Sequence, residues 1–203
     1  AYDYNLLSRH EIIVRRARVG EKITTLDGVQ PELTPEMIVI ADAVQPVGIA
    51  GIMGGLVTEV TAATQTVLLE AAAFDNASIR RTTKALGLRS EASGRFERGV
   101  DVANITRAID RAAQLLEELG ACTVCPGIVD VYPRVVLPKQ ITFTAADING
   151  LLGTELTDGT ITDILKKLEF DVENRSGKIT VTVPSWRGDV SIVADISEEV
   201  ARI

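Results

Sequence analysis

The chain has a single histidine, His10, and two cysteines, Cys122 and Cys125, among its 203 residues. No Ser-His-Asp or Cys-His set can be assembled from that stock, which excludes the common forms of nucleophilic catalysis. One C-x-x-C pair cannot complete a four-ligand zinc site without distant partners, and nothing pairs His10 with it. In thioredoxin-type proteins this motif opens a helix. Here it follows one and precedes Pro126-Gly127, so the cysteines read as small, buried or half-buried thiols in a reducing cytosol. Aromatic residues make up 4% against 46% hydrophobic residues, so the core is aliphatic. No apolar run reaches membrane-spanning length, and no signal peptide is visible, although residue 1 need not be a native start. A basic excess is lacking too. The net charge of −7 argues against gripping duplex DNA by charge, while a local basic patch could still touch RNA. There is no G-x-G-x-x-G and no G-K-[S/T], hence no nucleotide fingerprint.

What is present reads as an α+β fold. Ile12–Arg16, Lys22–Leu26 and Met37–Ala41 predict strands, with Asp27-Gly28 a tight turn after the second. A glycine-bearing strand at 46–53 and another at 67–71 make this half β-rich. Asp75 or Asn76 can cap a helix running to Ala85, and Gly87 ends it. Glu91–Arg98 suits a short helical turn. Asp101 starts the clearest helix: Val102, Ile105, Ile109, Ala112, Leu116 and Leu119 recur three and four apart, a stripe that reads as core. Ile128–Tyr132 predicts a strand. Pro133 and Pro138 bracket a crossover, dividing the chain into 1–133 and 134–203. The second part predicts a strand at 141–143 and a helix at 145–151 capped by Thr144. An amphipathic helix follows, marked by Ile161, Ile164, Leu165 and Leu168, then a strand at 179–183 and a last helix from Asp195. Trp186, the sole tryptophan, reads as a core anchor.

The informative stretch is 47–101. Glycines at 48, 51, 54 and 55 let backbone approach a ligand closely. Val67-Leu68-Leu69-Glu70 then ends an apolar run on one acid, which needs a partner if buried. Glu70 reads either as one half of an ion pair with Arg80 or Arg81, or as the polar reader of a glycine-floored pocket. The run Arg89-Ser90-Glu91-Ala92-Ser93-Gly94-Arg95-Phe96-Glu97-Arg98-Gly99 closes the stretch.

Together G-I-M-G-G, T-x-x-V-L-L-E-A-A-x-F and L-R-S-E-A-S-x-R-F-E-R-G-V-D resemble the editing module of the bacterial phenylalanyl-tRNA synthetase beta-subunit family. The later P-S-W-R-x-D and D-I-x-E-E-V-A-R-I resemble the small domain that follows it. The likeness covers nearly all of the chain, in order. It implies that residues 1–133 are most of an editing module and 134–203 the small α+β domain. It implies that Glu70 reads the phenol hydroxyl of tyrosine, that Gly54 lines the pocket, and that Ser90 and Ala92 form the opposite wall. The family commonly has threonine at the position of Ser90. The implied chemistry is hydrolysis of the ester of mischarged tyrosyl-tRNA by a positioned water. The family's editing histidine falls immediately before Ala1, and His10 is no substitute.

The resemblance further implies a cytoplasmic ligase charging tRNA(Phe) with phenylalanine, an α2β2 heterotetramer in which synthesis belongs to the alpha subunit. ATP would serve the full enzyme and not bind to this region. Asp189, Asp195, Glu198 and Glu199 match the family's acids for a Mg²⁺ shared with the alpha subunit. Read without the resemblance, Asp195 and Glu198 look like helix-capping acids. Two rivals are a non-catalytic scaffold binding tRNA or a partner subunit, and a DNA-binding protein, which the acidic balance opposes.

Overall fold

The computed structural model describes residues 1–203. They form two compact units, Ala1–Cys125 and Pro126–Ile203, a division earlier in the chain than Pro133.

The first unit is built on short antiparallel strands. β1 (Tyr2–Asp3) leads through two one-turn 3-10 helices to β2 (Ile13–Arg16), then β3 (Ile38–Ala41), β4 (Pro46–Ile49) and β5 (Met53–Gly54). β2 to β5 make one sheet in sequence order, whereas β1 pairs only with β6 (Val67–Leu68). β3 is buried on both faces. Val39 enters a core with Leu33, Met37, Ile49 and Ile79; its neighbour Ile40 points into a second core with Tyr2, Leu7, Val47 and Ala50. Alternation along a strand sends successive side chains to opposite faces, so one apolar strand serves two cores. Lys22–Leu26 is not a strand. It makes isolated bridges at Lys22–Glu32 and Thr25–Gly55, because Gly28 at φ +82° turns the chain back within a few residues. The expected 46–53 strand is a hairpin: Gly51 takes φ +67°, and Ile52 N–H donates to the Ile49 carbonyl at 3.0 Å.

α1 (Asn76–Leu86) starts where Asp75 accepts from Ser78 N–H and stops at Gly87 in the left-handed region. α2 (Glu91–Phe96) begins with a capping box in which Ser90 and Ser93 satisfy each other's backbone. α3 (Ile105–Glu118) has the expected length, but none of its residues is buried. The predicted stripe is only half-buried: Val102, Ile105, Ile109 and Leu116 are partly covered, while Ala112 and Leu119 are exposed. Cys122 and Cys125 are likewise exposed.

In the second unit, residues 128–132 form no strand, since no chain lies beside them to complete backbone pairs. β7 (Gln140–Phe143), β8 (Asp171–Arg175) and β9 (Lys178–Thr182) make a sheet in the order β7-β9-β8, with α4 (Ala145–Leu152), α5 (Asp158–Lys167) and α6 (Val193–Ala201). The central strand β9 buries Ile179 and Val181 against Ile148, Ile161, Leu165 and Ile196. Thr144 caps α4 as its sequence predicts. Trp186 is 57% exposed, so it does not anchor this core; Phe143 and Phe170 fill the aromatic role instead.

Candidate functional site

The β4–β5 hairpin places the glycines. Gly48 faces Gly54 across the ladder, and Gly54 carbonyl accepts from Leu26 N–H at 3.0 Å. The close approaches differ along the hairpin. A Cβ on Gly55 would lie 2.8 Å from the Val47 carbonyl oxygen, and one on Gly51 about 3.0 Å from the Phe74 ring. At Gly54 it would meet only the Leu26 side chain, Cδ1 at 3.1 Å and Cγ at 3.6 Å. Leu26 is 44% exposed and free to move. Gly51 and Gly55 are therefore required by packing, while Gly54 borders a yielding, partly open side of the hairpin.

Glu70 lies just beyond β6. Its side chain is exposed rather than buried, and neither Arg80 nor Arg81 pairs with it. Its partner is Tyr2, whose hydroxyl donates to Glu70 Oε2. Tyr2 itself is buried, and the same hydroxyl passes over Gly48, 3.5 Å from where a Cβ there would stand. Burial, then the charge of Glu70, then the hydrogen bond raise the Tyr2 pKa well above the usual phenol range, so its proton stays on the oxygen. Sequence reasoning missed Tyr2. The alternation of apolar and acidic residues in Ala1-Tyr2-Asp3 is too short a signal to predict a strand.

Ser90 joins the other end of the hairpin. Its hydroxyl donates to the Ile52 carbonyl at 2.6 Å and accepts from Ser93 N–H at 3.1 Å. Ala92 is exposed on the first turn of α2. The hairpin is thus the common scaffold: Glu70 reaches it through Tyr2 at Gly48, and Ser90 reaches it at Ile52. No hydrogen bond joins Glu70 to Ser90. The Gly54, Glu70, Ser90 and Ala92 positions line neither the depression along α3 nor the one bordering Pro46 and Val57.

Three of the four acids of the second unit are committed elsewhere. Arg187 donates to Glu199 through both terminal nitrogens at 2.8 Å and to Asp189 at 2.6 Å. Arg202 adds a bond to Glu199 at 2.7 Å. These bonds from Arg187 and Arg202 outweigh burial and bring the Glu199 pKa from 4.5 down to about 2. Asp195 accepts from Ser191 N–H at 2.6 Å and Ile192 N–H at 3.0 Å, satisfying orphan donors at the start of α6 and lowering its own pKa. Glu198 is exposed and makes no ion pair. No three acidic, histidine or cysteine side chains are grouped to hold a metal. A Mg²⁺ site needs hard oxygens that are free to coordinate; with an arginine fork between Asp189 and Glu199, these residues as folded do not fit one. The expected convergence of the acids is replaced by an arginine-centred pair and a helix cap.

Residues 1–121 match the family model described as the B3/4 domain, and residues 141–203 that of the tRNA synthetase B5 domain. Over all of this chain, 54% of residues are identical to the phenylalanine–tRNA ligase beta subunit of Moorella thermoacetica, and 50% to that of Carboxydothermus hydrogenoformans. The chain belongs to the phenylalanyl-tRNA synthetase beta-subunit family. It spans 25% of the length of each of those two relatives. A solved N-terminal fragment of the phenylalanyl-tRNA synthetase beta subunit from Pyrococcus horikoshii is 16% identical, covers 98% of this chain and 57% of its own, and superposes with a TM-score of 0.48. Within this beta-subunit segment the B3/4 match lies inside the first compact unit and the B5 match inside the second. The hairpin, Tyr2 and Glu70 are B3/4 features; the Arg187 cluster belongs to B5. No helix is long and apolar enough to cross a membrane.

Proposed function

We propose that the first unit is the tyrosine-reading part of an editing site, within a beta subunit that works in a phenylalanine–tRNA ligase. The observation that carries this reading is the Tyr2–Glu70 hydrogen bond. Glu70 already accepts a phenol O–H from its own chain, the group that separates tyrosine from phenylalanine. A pocket selecting phenylalanine for synthesis rejects one added hydroxyl weakly, while a second site built to hydrogen-bond that hydroxyl discriminates in the opposite sense. The exposure of Glu70 moderates the expected discrimination, because phenylalanine would leave the carboxylate wet rather than stranded.

The reaction is hydrolysis of the ester linking tyrosine to tRNA. The chain offers no nucleophile–base pair, so its part is to bind and orient the amino acid while a water attacks the ester carbonyl. The glycine hairpin supplies the surface, with Gly54 the position where added bulk obstructs the amino acid. Ser90 holds the hairpin turn against α2, and Ala92 with it belongs to the opposite wall of the proposed pocket. Partners are an alpha subunit, which carries out synthesis with ATP, and tRNA(Phe), in the cytoplasm. Mg²⁺ stays outside the proposed chemistry of this chain, since Arg187 would first have to release Asp189 and Glu199.

The test is deacylation of tyrosyl-tRNA by the full-length enzyme. A hydrogen bond to a charged group contributes about 1.5–3 kcal/mol, so Glu70→Ala is expected to slow it roughly tenfold to hundredfold with phenylalanine charging unchanged. Undiminished deacylation by the variant returns the unit to a scaffold that binds tRNA or the partner subunit.

A further inference from the structure

We infer that Tyr2 is a positioning residue for the Glu70 reader: its buried hydroxyl pins one carboxylate oxygen and leaves the other for the phenol of an incoming tyrosine. The inference rests on the editing reading above and adds the device that makes an exposed glutamate selective.

Three observations converge. The first is register. Tyr2 pairs with Leu68, and Glu70 lies two residues further on, just past the end of β6 and within reach of the Tyr2 side chain. The second is anchoring. Tyr2 is 6% exposed, with its ring set among Leu7, Ile40, Val47 and Ala50, so the hydroxyl has a fixed place that Glu70 lacks. The third is the accounting of lone pairs. Tyr2 occupies Oε2, while Oε1 has no partner in the chain. An ionised carboxylate offers about four acceptor positions, so one bond to Tyr2 leaves ample capacity for a second phenol.

The physical consequence is preorganisation. An unanchored glutamate at the surface samples several rotamers, and binding must select one. Immobilising such a side chain costs binding several-fold to about tenfold in affinity. With Tyr2 in place that ordering is done during folding. Tyr2 stays a donor throughout, because burial beside a carboxylate disfavours its ionised form. Glu70 therefore presents only acceptor capacity to the ligand, which tyrosine can use and phenylalanine cannot.

The experiment uses the complete enzyme carrying Tyr2→Phe, Glu70→Ala and both together. Tyr2→Phe keeps the ring in the core, and thermal unfolding checks that the fold persists. The expected result is a KM for tyrosyl-tRNA deacylation raised about three- to tenfold with kcat within about twofold, since only ligand ordering is lost. In the Glu70→Ala background, Tyr2→Phe is expected to add nothing, which a purely structural role would not produce. Unchanged kinetics in Tyr2→Phe, while Glu70→Ala is impaired, overturn the positioning role and leave the reader intact. A lowered KM overturns it too, by showing that Tyr2 competes with the ligand. An effect of Tyr2→Phe that persists undiminished without Glu70 assigns Tyr2 to packing alone. If Glu70→Ala is itself without effect, the reader falls and the positioning role falls with it.

Discussion

Replacing Arg187 by Met removes the fork that binds Glu199 and Asp189 while keeping a side chain of similar length over the Phe170 ring, whose centroid lies 5.7 Å from the guanidinium carbon. The Glu199 side chain is only 8% exposed and that of Arg187 19%, so the pair is largely sheltered. Its worth can be sized from Glu199, whose pKa falls from 4.5 to about 2. At about 1.4 kcal/mol per unit this is an upper limit near 3 kcal/mol. Arg202 supplies a share, and residual solvent contact screens the rest, which leaves about 2 kcal/mol for Arg187. For a unit the size of Pro126–Ile203, each kcal/mol corresponds to about 4–8 °C, so Arg187→Met is expected to lower its melting midpoint by roughly 10 °C at pH 7. The sign with pH follows from the depressed pKa. The stabilisation is whole above the unfolded value of 4.5 and is lost as pH falls through about 2, so the gap between parent and variant should narrow between those limits. Thermal unfolding of both chains at pH 7, 5 and 3, followed by circular dichroism, reads this directly. A variant melting within about 2 °C of the parent at pH 7, or a gap constant down to pH 3, refutes the reasoning.

Three further outcomes are expected. Gly55→Ala drives a Cβ into the Val47 carbonyl at 2.8 Å, so it should cost about 2 kcal/mol or more of stability, read by urea unfolding; Gly54→Trp should instead fold, displacing Leu26, and suppress tyrosyl-tRNA deacylation in the full-length enzyme, and a soluble variant with normal deacylation counts against the pocket role. The half-covered apolar side of α3 and its exposed end, with Leu115 41% and Leu119 79% exposed, should make the isolated chain self-associate; sedimentation showing a clean monomer at high concentration contradicts this, and Leu119→Glu should raise the monomer fraction. Titration calorimetry should find no tight Mg²⁺ binding to the isolated chain, because Asp189 and Glu199 are held by Arg187; a stoichiometric binding isotherm would show that the fork opens to the ion.

Much of the local structure was legible in the residues themselves. Asp75, Thr144 and Asp195 act as helix-start residues because short polar side chains reach free backbone donors one turn away, a purely local matter. Gly87 ends α1 for an equally local reason, its left-handed backbone. The α+β class and the second-unit pattern of strand, two helices and a later strand also follow from periodicity. β8 escaped that reading because Asp171–Arg175 is mostly polar and exposed, with only Val172 turned inward. The motif carrying the family resemblance was visible as well, since it lies in one continuous stretch.

What needed tertiary structure was every relation between residues far apart in the chain. The Tyr2–Glu70 bond spans 68 positions, and nothing near either residue foretells it. Arg187 captures Glu199 from 12 positions away, turning expected metal ligands into one half of an ion pair. Periodicity predicts that α3 has an apolar face but not how far it is covered, and in this chain the face is only half-buried. Trp186 and the cysteines are exposed for the same reason. Side-chain type sets how much a residue gains from burial, whereas the packing of distant segments decides whether any surface is there to bury it. Helix caps and helix positions were thus determined by sequence alone. Partners, burial and the state of each carboxylate were decided only when the chain closed on itself.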